Sequence, residues 1–431
     1  MKLHFWGATE DVTGSMTFVD LPEGRILIDC GLTQGSEETE KLNRVPLPYK
    51  AKEISAVIIT HAHLDHSGYL PRLVKNGFRG SVYCTPATAK LMKIILMDSA
   101  GLSEDGFYEE SDVTATMNLV KTKEWMDHFT VSGADVHLIP AGHILGASCV
   151  VIKSQGKRIL FSGDLGRFDD PILLPHAPAP AADIIVMEST YGGKSRQGNM
   201  EKELYTFLTT VSRESRVGII ASFAVARGQT LLTMIHEFYE RHPEEKVRIV
   251  FDSPMMKEAN TVYQKYAHMT AHADSVFSAM DEADGIEYQR EWESLKKKKG
   301  PLIIISSSGM LTGGRINRHL HNWKDDEKAI LFLPGYQAEG TPGRSLAQGD
   351  RTLRTQDGNP FLWEGEVWTS EAFSSHADQG ELIKWLGTEN KSSRIFLLHG
   401  ETESKSALSE KLSGLGFENV SVPGRGDNFE F

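Results

Sequence analysis

Short apolar blocks separated by turn residues mark out the first half of the chain. Residues 25–29, 56–60, 157–161 and 182–187 each read as a strand. Helical spacing of apolar positions follows several of them, as at 87–97, and the alternation predicts sheets covered by helices. Farther along, 217–221, 247–251, 302–305 and 329–333 are continuous apolar runs, the pattern of strands buried on both faces of a parallel sheet. Helical segments at 229–239 and 257–266 separate them, so a second α/β unit follows the first. The lysine run at 296–299 reads as a solvated helix end, not as a nucleic-acid patch. Around 349–360 the sequence turns polar and rich in Gly and Asp, which reads as a return crossing to the first domain. No internal repeat or low-complexity segment interrupts this plan.

Composition sets limits on that picture. With 431 residues, 40% of them hydrophobic, the chain can bury more than one core, so two domains are expected. No apolar stretch approaches the roughly 18 residues of a membrane span. Met1-Lys2-Leu3-His4-Phe5-Trp6 runs straight into a strand-like segment with no small-residue cleavage site, so it does not read as a signal peptide. Cys30, Cys84 and Cys149 lie apart in apolar runs and form no CxxC pair; they read as buried thiols of a cytoplasmic protein. The formal net charge of −12 argues against a broad electrostatic footprint on nucleic acid. It still allows a narrow cleft where metals and a few loops carry the positive charge.

The densest chemistry is His61-Ala62-His63-Leu64-Asp65-His66, which follows a strand and precedes a helix start at 67–73. Residues two apart in an extended segment point the same way, so His61 and His63 can grip one ion. The chain then turns, and Asp65 and His66 can face a second ion beside the first. Imidazole and carboxylate ligands together suit zinc best among the common metals. A lone His at this place would be an ordinary polar strand end; three His and one Asp within six residues are hard to explain by solvation. Later strand ends offer more ligands. His143 sits in the small-residue turn 141–147, and Asp164 lies just past 157–161, where a carboxylate could bridge two ions. Taken alone, each reads first as a turn residue, because Asp and Gly are common there. Asp29, at the end of 25–29, could orient a ligand from behind or be a plain turn Asp.

Taken together, Asp29, the HxHxDH segment at 61–66, His143 and Asp164 resemble the four motifs of the metallo-β-lactamase superfamily. The downstream sequence resembles that superfamily's β-CASP branch of nucleic-acid-processing nucleases. The similarity is carried by Glu188-Ser189-Thr190-Tyr191-Gly192, by Ser374-Ser375-His376-Ala377-Asp378 and by Leu397-Leu398-His399-Gly400-Glu401. Further blocks at 222–229, 307–315 and 335–341 are similar to bacterial and archaeal relatives of the cleavage and polyadenylation endonuclease subunit. The resemblance implies an α/β fold: a four-layer αββα metallo-β-lactamase domain over 1–194 and an inserted α/β β-CASP domain, mostly parallel in its sheet, over 195–350. A return segment at 351–431 would complete the first domain.

The same resemblance assigns roles. It implies two Zn2+ per chain, one held by His61, His63 and His143, the other by Asp65, His66 and His399, with Asp164 between them. The third extra motif carries His in RNA-processing members and Val in DNA-processing ones, so His399 points to RNA. The implied activity is that of an endoribonuclease in RNA processing or decay, with 5′-exonucleolytic cutting left open. It would hydrolyse phosphodiester bonds with a hydroxide between the ions, leaving 5′-phosphate and 3′-hydroxyl ends. His376 would give the leaving 3′-oxygen its proton, Glu188 would hold the tautomer of His376, and Asp65 would serve both as ligand and in catalysis. Outside the family, Glu188 reads as a capping or salt-bridge carboxylate and His376 as a helix N-terminal residue. Ser222, ahead of a helix, and Ser308, Gly309 and Met310, at a strand-to-loop junction, would receive phosphates, and Arg315 would offer a fork to phosphate oxygens. Ordinary βα-loop chemistry also favours Ser and Gly there. The implied partner is single-stranded RNA, with no membrane and a homodimer as a family-level expectation. No KH-like module precedes the first strand and no long extension follows, so RNA affinity would rest on the cleft, a partner or an oligomer.

Three rivals compete with this reading. A small-molecule hydrolase of the same superfamily would need neither Glu188 and His376 nor a second domain of this size. A DNA nuclease is disfavoured by His399. A catalytically quiet RNA-binding or scaffold subunit would have lost metal ligands, and every expected ligand is present here.

Overall fold

The computed structural model describes residues 1–35, 37–102, 106–282, 284–285, 294–295, 300–355 and 357–431. It divides into two compact units, Met1–Ser195 with Ser375–Phe431, and Arg196–Ser374. The lysine run at 296–299 lies outside the described residues. Among the described residues, no helix is long and apolar enough to cross a membrane, and the three cysteines are free and buried.

The first unit contains two seven-stranded sheets. One runs in the order Asn428–Glu430, Lys2–Phe5, Thr17–Leu21, Gly24–Ile28, Ile54–Ile58, Ser81–Cys84, Val120–Thr122. The other runs Asn419–Ser421, Arg394–Leu398, Ile184–Glu188, Lys157–Phe161, Ser148–Ser154, Ala134–Pro140, Phe129–Val131. Period-two alternation sends Leu3, Phe5, Ile26, Ile28 and Ile58 of the first sheet into a shared core with Val136, Val150, Ile152, Phe161 and Val186 of the second. The alternate positions Leu27, Val57 and Val82 are buried as well. Helices such as Pro86–Leu102 on the first sheet and Thr402–Gly414 on the second cover the outer faces. The result is the αββα layering.

Strand direction decides where the chemistry collects. Gly24–Ile28 and Ile54–Ile58 are parallel neighbours in one sheet, and Lys157–Phe161, Ile184–Glu188 and Arg394–Leu398 are parallel neighbours in the other. Parallel strands bring their C-terminal ends to one edge. The residues immediately past those ends are Asp29, 59–66, 162–166, Ser189 and His399, and they gather there.

The second unit is built on a six-stranded parallel sheet. Its order is Asp284–Gly285, Arg248–Asp252, Leu302–Ser306, Val217–Ala221, Ile330–Pro334, Glu366–Ser370. As the continuous apolar runs require, it is covered on both faces: Phe207, Phe238, Ile303 and Phe332 belong to one core, Ile304, Leu320, Leu331 and Trp363 to the other. The helices run Arg227–Arg241, beyond the apolar period at both ends, and Pro254–Lys265, which starts before it. For the latter, Pro254 follows an N-cap Ser253 whose hydroxyl accepts from the Met256 amide.

The segment expected to return to the first domain at 351 stays with the inserted unit up to Ser374. Thr352–Arg354 pairs with Pro360–Leu362 as a hairpin, and Glu366–Ser370 then adds in parallel to Ile330–Pro334. The polar stretch is therefore a hairpin inside the second unit. Glu366–Ser370 is an edge strand, half-exposed along most of its length, and lacks the apolar signature that marks its neighbours.

Phe207 is fully buried and stacks on Phe332 with ring centroids 5.1 Å apart. Phe207→Ala is expected to lower the stability of the second unit by about 3–5 kcal/mol in urea unfolding. A loss well below 1 kcal/mol would contradict this account of the core.

Candidate metal centre

Each side chain of the expected constellation is held by an element end. His61 and His63 leave the strand Ile54–Ile58, and the chain then winds into the helical turn Leu64–Ser67, which carries Asp65 and His66. The helix anticipated at 67–73 is thus two pieces, this turn and Leu70–Lys75. Asp164 follows Lys157–Phe161, and His399 follows Arg394–Leu398 with φ of 50°. Asp29 also sits in the left-handed region, at φ 58°. Non-glycine residues hold such backbone only when their surroundings fix them, and they concentrate at functional sites.

The folded chain brings together two four-residue groups that share Asp164: His61, His63, His143 and Asp164, and Asp65, His66, Asp164 and His399. In the first, His63 Nδ1 lies 3.1 Å from His61 Nε2 and 3.3 Å from His143 Nε2. In the second, His66 Nε2 lies 3.1 Å from His399 Nε2, which is 3.3 Å from Asp65 Oδ2. Asp164 divides its carboxylate between them. Its Oδ2 is 3.6 Å from both His61 Nε2 and His143 Nε2, and its Oδ1 is 3.2 Å from His66 Nε2.

These side chains suit a metal better than they suit one another. Ring nitrogens about 3.3 Å apart are what a tetrahedral ion with Zn–N bonds of about 2.0–2.1 Å produces. One His63 nitrogen facing two other imidazole nitrogens cannot satisfy both by hydrogen bonding. Burial, reinforced by neighbouring imidazoles, holds His61 and His143 well below the usual histidine range, so both rings are neutral, as metal ligands must be. At His66 burial works the same way, but Asp164, Asp29 and Asp65 outweigh it and push the pKa well above its ordinary value. Burial would also raise Asp65, yet His66 and His399 bring it down to about 2. Three carboxylates demanding a positive charge in a dry pocket is the electrostatic situation a cation resolves.

Asp29 organises the pocket from behind. Its Oδ2 accepts from His66 Nδ1 at 2.7 Å and from the Thr60 hydroxyl at 2.9 Å, and its Oδ1 accepts from the Thr60 amide at 2.8 Å. Sequence reasoning misses Thr60, because a threonine ending a β-strand carries no signal of its own. It misses Thr190 as well, two residues after Glu188 in the same motif; the Thr190 hydroxyl is 3.2 Å from His399 Nδ1.

A third group joins the same acid: Asp164, Glu188 and His376. His376 Nδ1 lies 3.3 Å from Glu188 Oε2 and 4.0 Å from Asp164 Oδ2, and its ring is 4.5 Å from that of His143. Burial disfavours its charge, but Glu188 and then Asp164 raise its pKa to about 9. His376 precedes the helix Gln379–Leu386, whose cap is Asp378, so it is not part of the cap. Backbone bonds from Ala377 to Leu165 and from Arg167 to Ser375 fix its loop. Glu188 does no helix capping; it ends its strand buried and accepts from the Leu165 amide.

A ribonuclease of Thermus thermophilus is 33% identical to this sequence, over 97% of each chain. The chain belongs to the metallo-β-lactamase superfamily, in its β-CASP branch of metal-dependent ribonucleases. Family models match in the corresponding order: the metallo-beta-lactamase superfamily over 9–218, the Beta-Casp domain over 228–346 and the Zn-dependent metallo-hydrolase RNA specificity domain over 364–423. An RNase J-like protein of Methanocaldococcus jannaschii is 30% identical over 93% of this chain and 92% of its own. Cleavage and polyadenylation specificity factor 73 of Drosophila melanogaster is 29% identical over 93% of this chain and 60% of its own. A crystal structure of an Enterococcus faecalis protein of unknown function shares the fold, with TM-score 0.61 at 15% identity over 99% of both chains.

The residues expected to bind substrate lie in the β-CASP unit. Ser222 is fully buried, and its hydroxyl donates to the Phe223 carbonyl. Ser308, Gly309 and Met310 follow the strand Leu302–Ser306, and Gln337 Nε2 braces their loop by donating to the Gly309 carbonyl. A Cβ on Gly309 would stand 3.1 Å from the Phe223 amide nitrogen, so glycine permits the close approach of these two loops. Arg315 donates to Asp252 Oδ1, which commits part of its guanidinium to an internal ion pair.

Asp29→Asn is expected to weaken Zn2+ binding by the Asp65–His66–His399 group by about 10–100-fold, measured by competition with a chromogenic chelator. Unchanged affinity would remove Asp29 from the support of that group.

Proposed function

We propose that the chain is an endoribonuclease that binds two Zn2+ and cuts single-stranded RNA, leaving 5′-phosphate and 3′-hydroxyl ends. The observation that carries the reading is Asp164, whose two carboxylate oxygens each face a separate histidine group. One ion would be held by His61, His63 and His143, the other by Asp65, His66 and His399, with Asp164 common to both. Bound there, the pair of ions would lower the pKa of a water and neutralise the phosphate under attack.

The chain's own residues supply the remainder. Asp29 and Thr60 keep His66 turned so that Nε2 faces the pocket. His61, His143 and Asp164 are shielded from water, while His63, Asp65 and His376 keep partial exposure. Glu188 accepts from His376 Nδ1 and stabilises the protonated ring, so that Nε2 is the nitrogen that gives a proton to the departing 3′-oxygen. RNA as substrate is supported by the RNA specificity model over 364–423 and by the ribonuclease name of the Thermus relative.

Incubation with RNAs labelled at either end, beside matched DNA and a chromogenic β-lactam, tests substrate class and cutting mode together. Internal cleavage of RNA alone is expected; turnover of the β-lactam without RNA cleavage would defeat the proposal. His376→Ala is expected to keep its zinc while RNA cleavage at neutral pH falls by about 10²–10⁴-fold. Cleavage at the wild-type rate would remove the proton-donor role.

A further inference from the structure

Away from the central groups, the hairpin formed by Phe129–Val131 and Ala134–Pro140 carries three metal-ligating side chains on one face. Its strands pair Phe129 with Val136 and Thr130 with Asp135. Extended one step, that register sets His128 opposite His137, and their ring centroids are 4.5 Å apart. Asp135 and His137 are two residues apart on one strand and so point to the same side. One ligand-type atom from each of His128, Asp135 and His137 lies within 4.8 Å of the others.

Two features separate this trio from an ordinary surface ion pair. His128 Nδ1 lies 2.8 and 3.0 Å from the two oxygens of Asp135, which by itself would be a half-exposed pair of little consequence. His137 is different. It is only 9% exposed, and its Nδ1 is buried with no hydrogen-bond partner among the described residues. A buried ring nitrogen without a partner is costly, and a ligand that takes its lone pair relieves the cost. Burial, then His128 and Lys153, lower the pKa of His137, so the ring is neutral and its lone pair available.

We propose that His128, Asp135 and His137 form a binding site for a further divalent transition-metal ion, distinct from the central pair. Two imidazoles and one carboxylate suit Zn2+ and its borderline neighbours. Three protein ligands on a solvent-facing hairpin leave positions for water, so the ion exchanges readily. Lys153, paired across the sheet from Asp135, opposes a cation and keeps this site weaker than the central one. Phe129–Val131 is an edge strand of its sheet and, among the described residues, pairs with Ala134–Pro140 alone. A bound ion joins the residue that enters the edge strand to two residues of the inner strand, and so pins the sheet edge. The inner strand, Ala134–Pro140, runs directly into the turn that holds His143.

The test is native mass spectrometry of metal-free protein titrated with Zn2+, comparing wild type with His128→Ala and His137→Ala. Wild type is expected to take up one ion more than either variant, whatever the occupancy of the central groups, and both variants are expected to retain wild-type activity. Equal uptake by all three proteins would overturn the site. His128 is exposed, so its variant gives the reading even if His137→Ala folds poorly. Hydrogen exchange supplies the second readout: amides of 129–137 should gain protection as the additional ion binds to wild type and not to His128→Ala. The same exchange in both proteins would overturn the clamp.

Discussion

The interaction on which this molecule turns is the sharing of one buried carboxylate. Asp164 is 1% exposed, and each of its oxygens faces its own set of imidazoles. A carboxylate so deeply buried is tolerable only when opposite charge surrounds it. The strands that end at this edge exist, in effect, to deliver that charge or the ligands that hold it. Loss of the strand order would scatter donors that lie far apart in sequence; Asp65 and His399, for example, are 334 residues apart.

Strand direction and burial account for most of the site's geometry. Parallel neighbours in each sheet place Asp29, His61, Asp164, Glu188 and His399 at corresponding ends. The buried faces behind them, with Ile28, Ile58, Phe161 and Val186 in one core, make those ends rigid. Rigidity is what lets Asp29 and His399 keep left-handed backbone and lets Glu188 and Thr190 hold their partners. The acidic balance of the whole chain matters less here than the local excess of carboxylates, which a cation relieves.

Much of this is legible in the sequence, because metal sites draw on rare side chains at fixed spacings. The HxHxDH segment stands out by itself, whereas His143 and Asp164 gain meaning only beside it. Residues that act through common groups are silent: Thr60 is one hydroxyl among many until its two bonds to Asp29 are seen. Polarity and glycine mark loops, and they put the expected domain return at 351. A half-exposed edge strand such as Glu366–Ser370 has no continuous apolar run to announce it. Arg315 illustrates the opposite limit. Its side-chain type suits phosphate, yet the fold engages it with Asp252, beside His319. The hairpin trio is silent in the sequence because His128 lies seven residues before Asp135, and only strand register brings them together.

The most direct test of the shared carboxylate is the zinc content of single-ligand variants, counted in the His128→Ala/His137→Ala background. His63→Ala and His399→Ala should each lose one ion and keep the other, whereas Asp164→Ala should lose its hold on both. Retention of two ions by Asp164→Ala at wild-type affinity would contradict the account, since the two groups would then stand without the residue said to unite them.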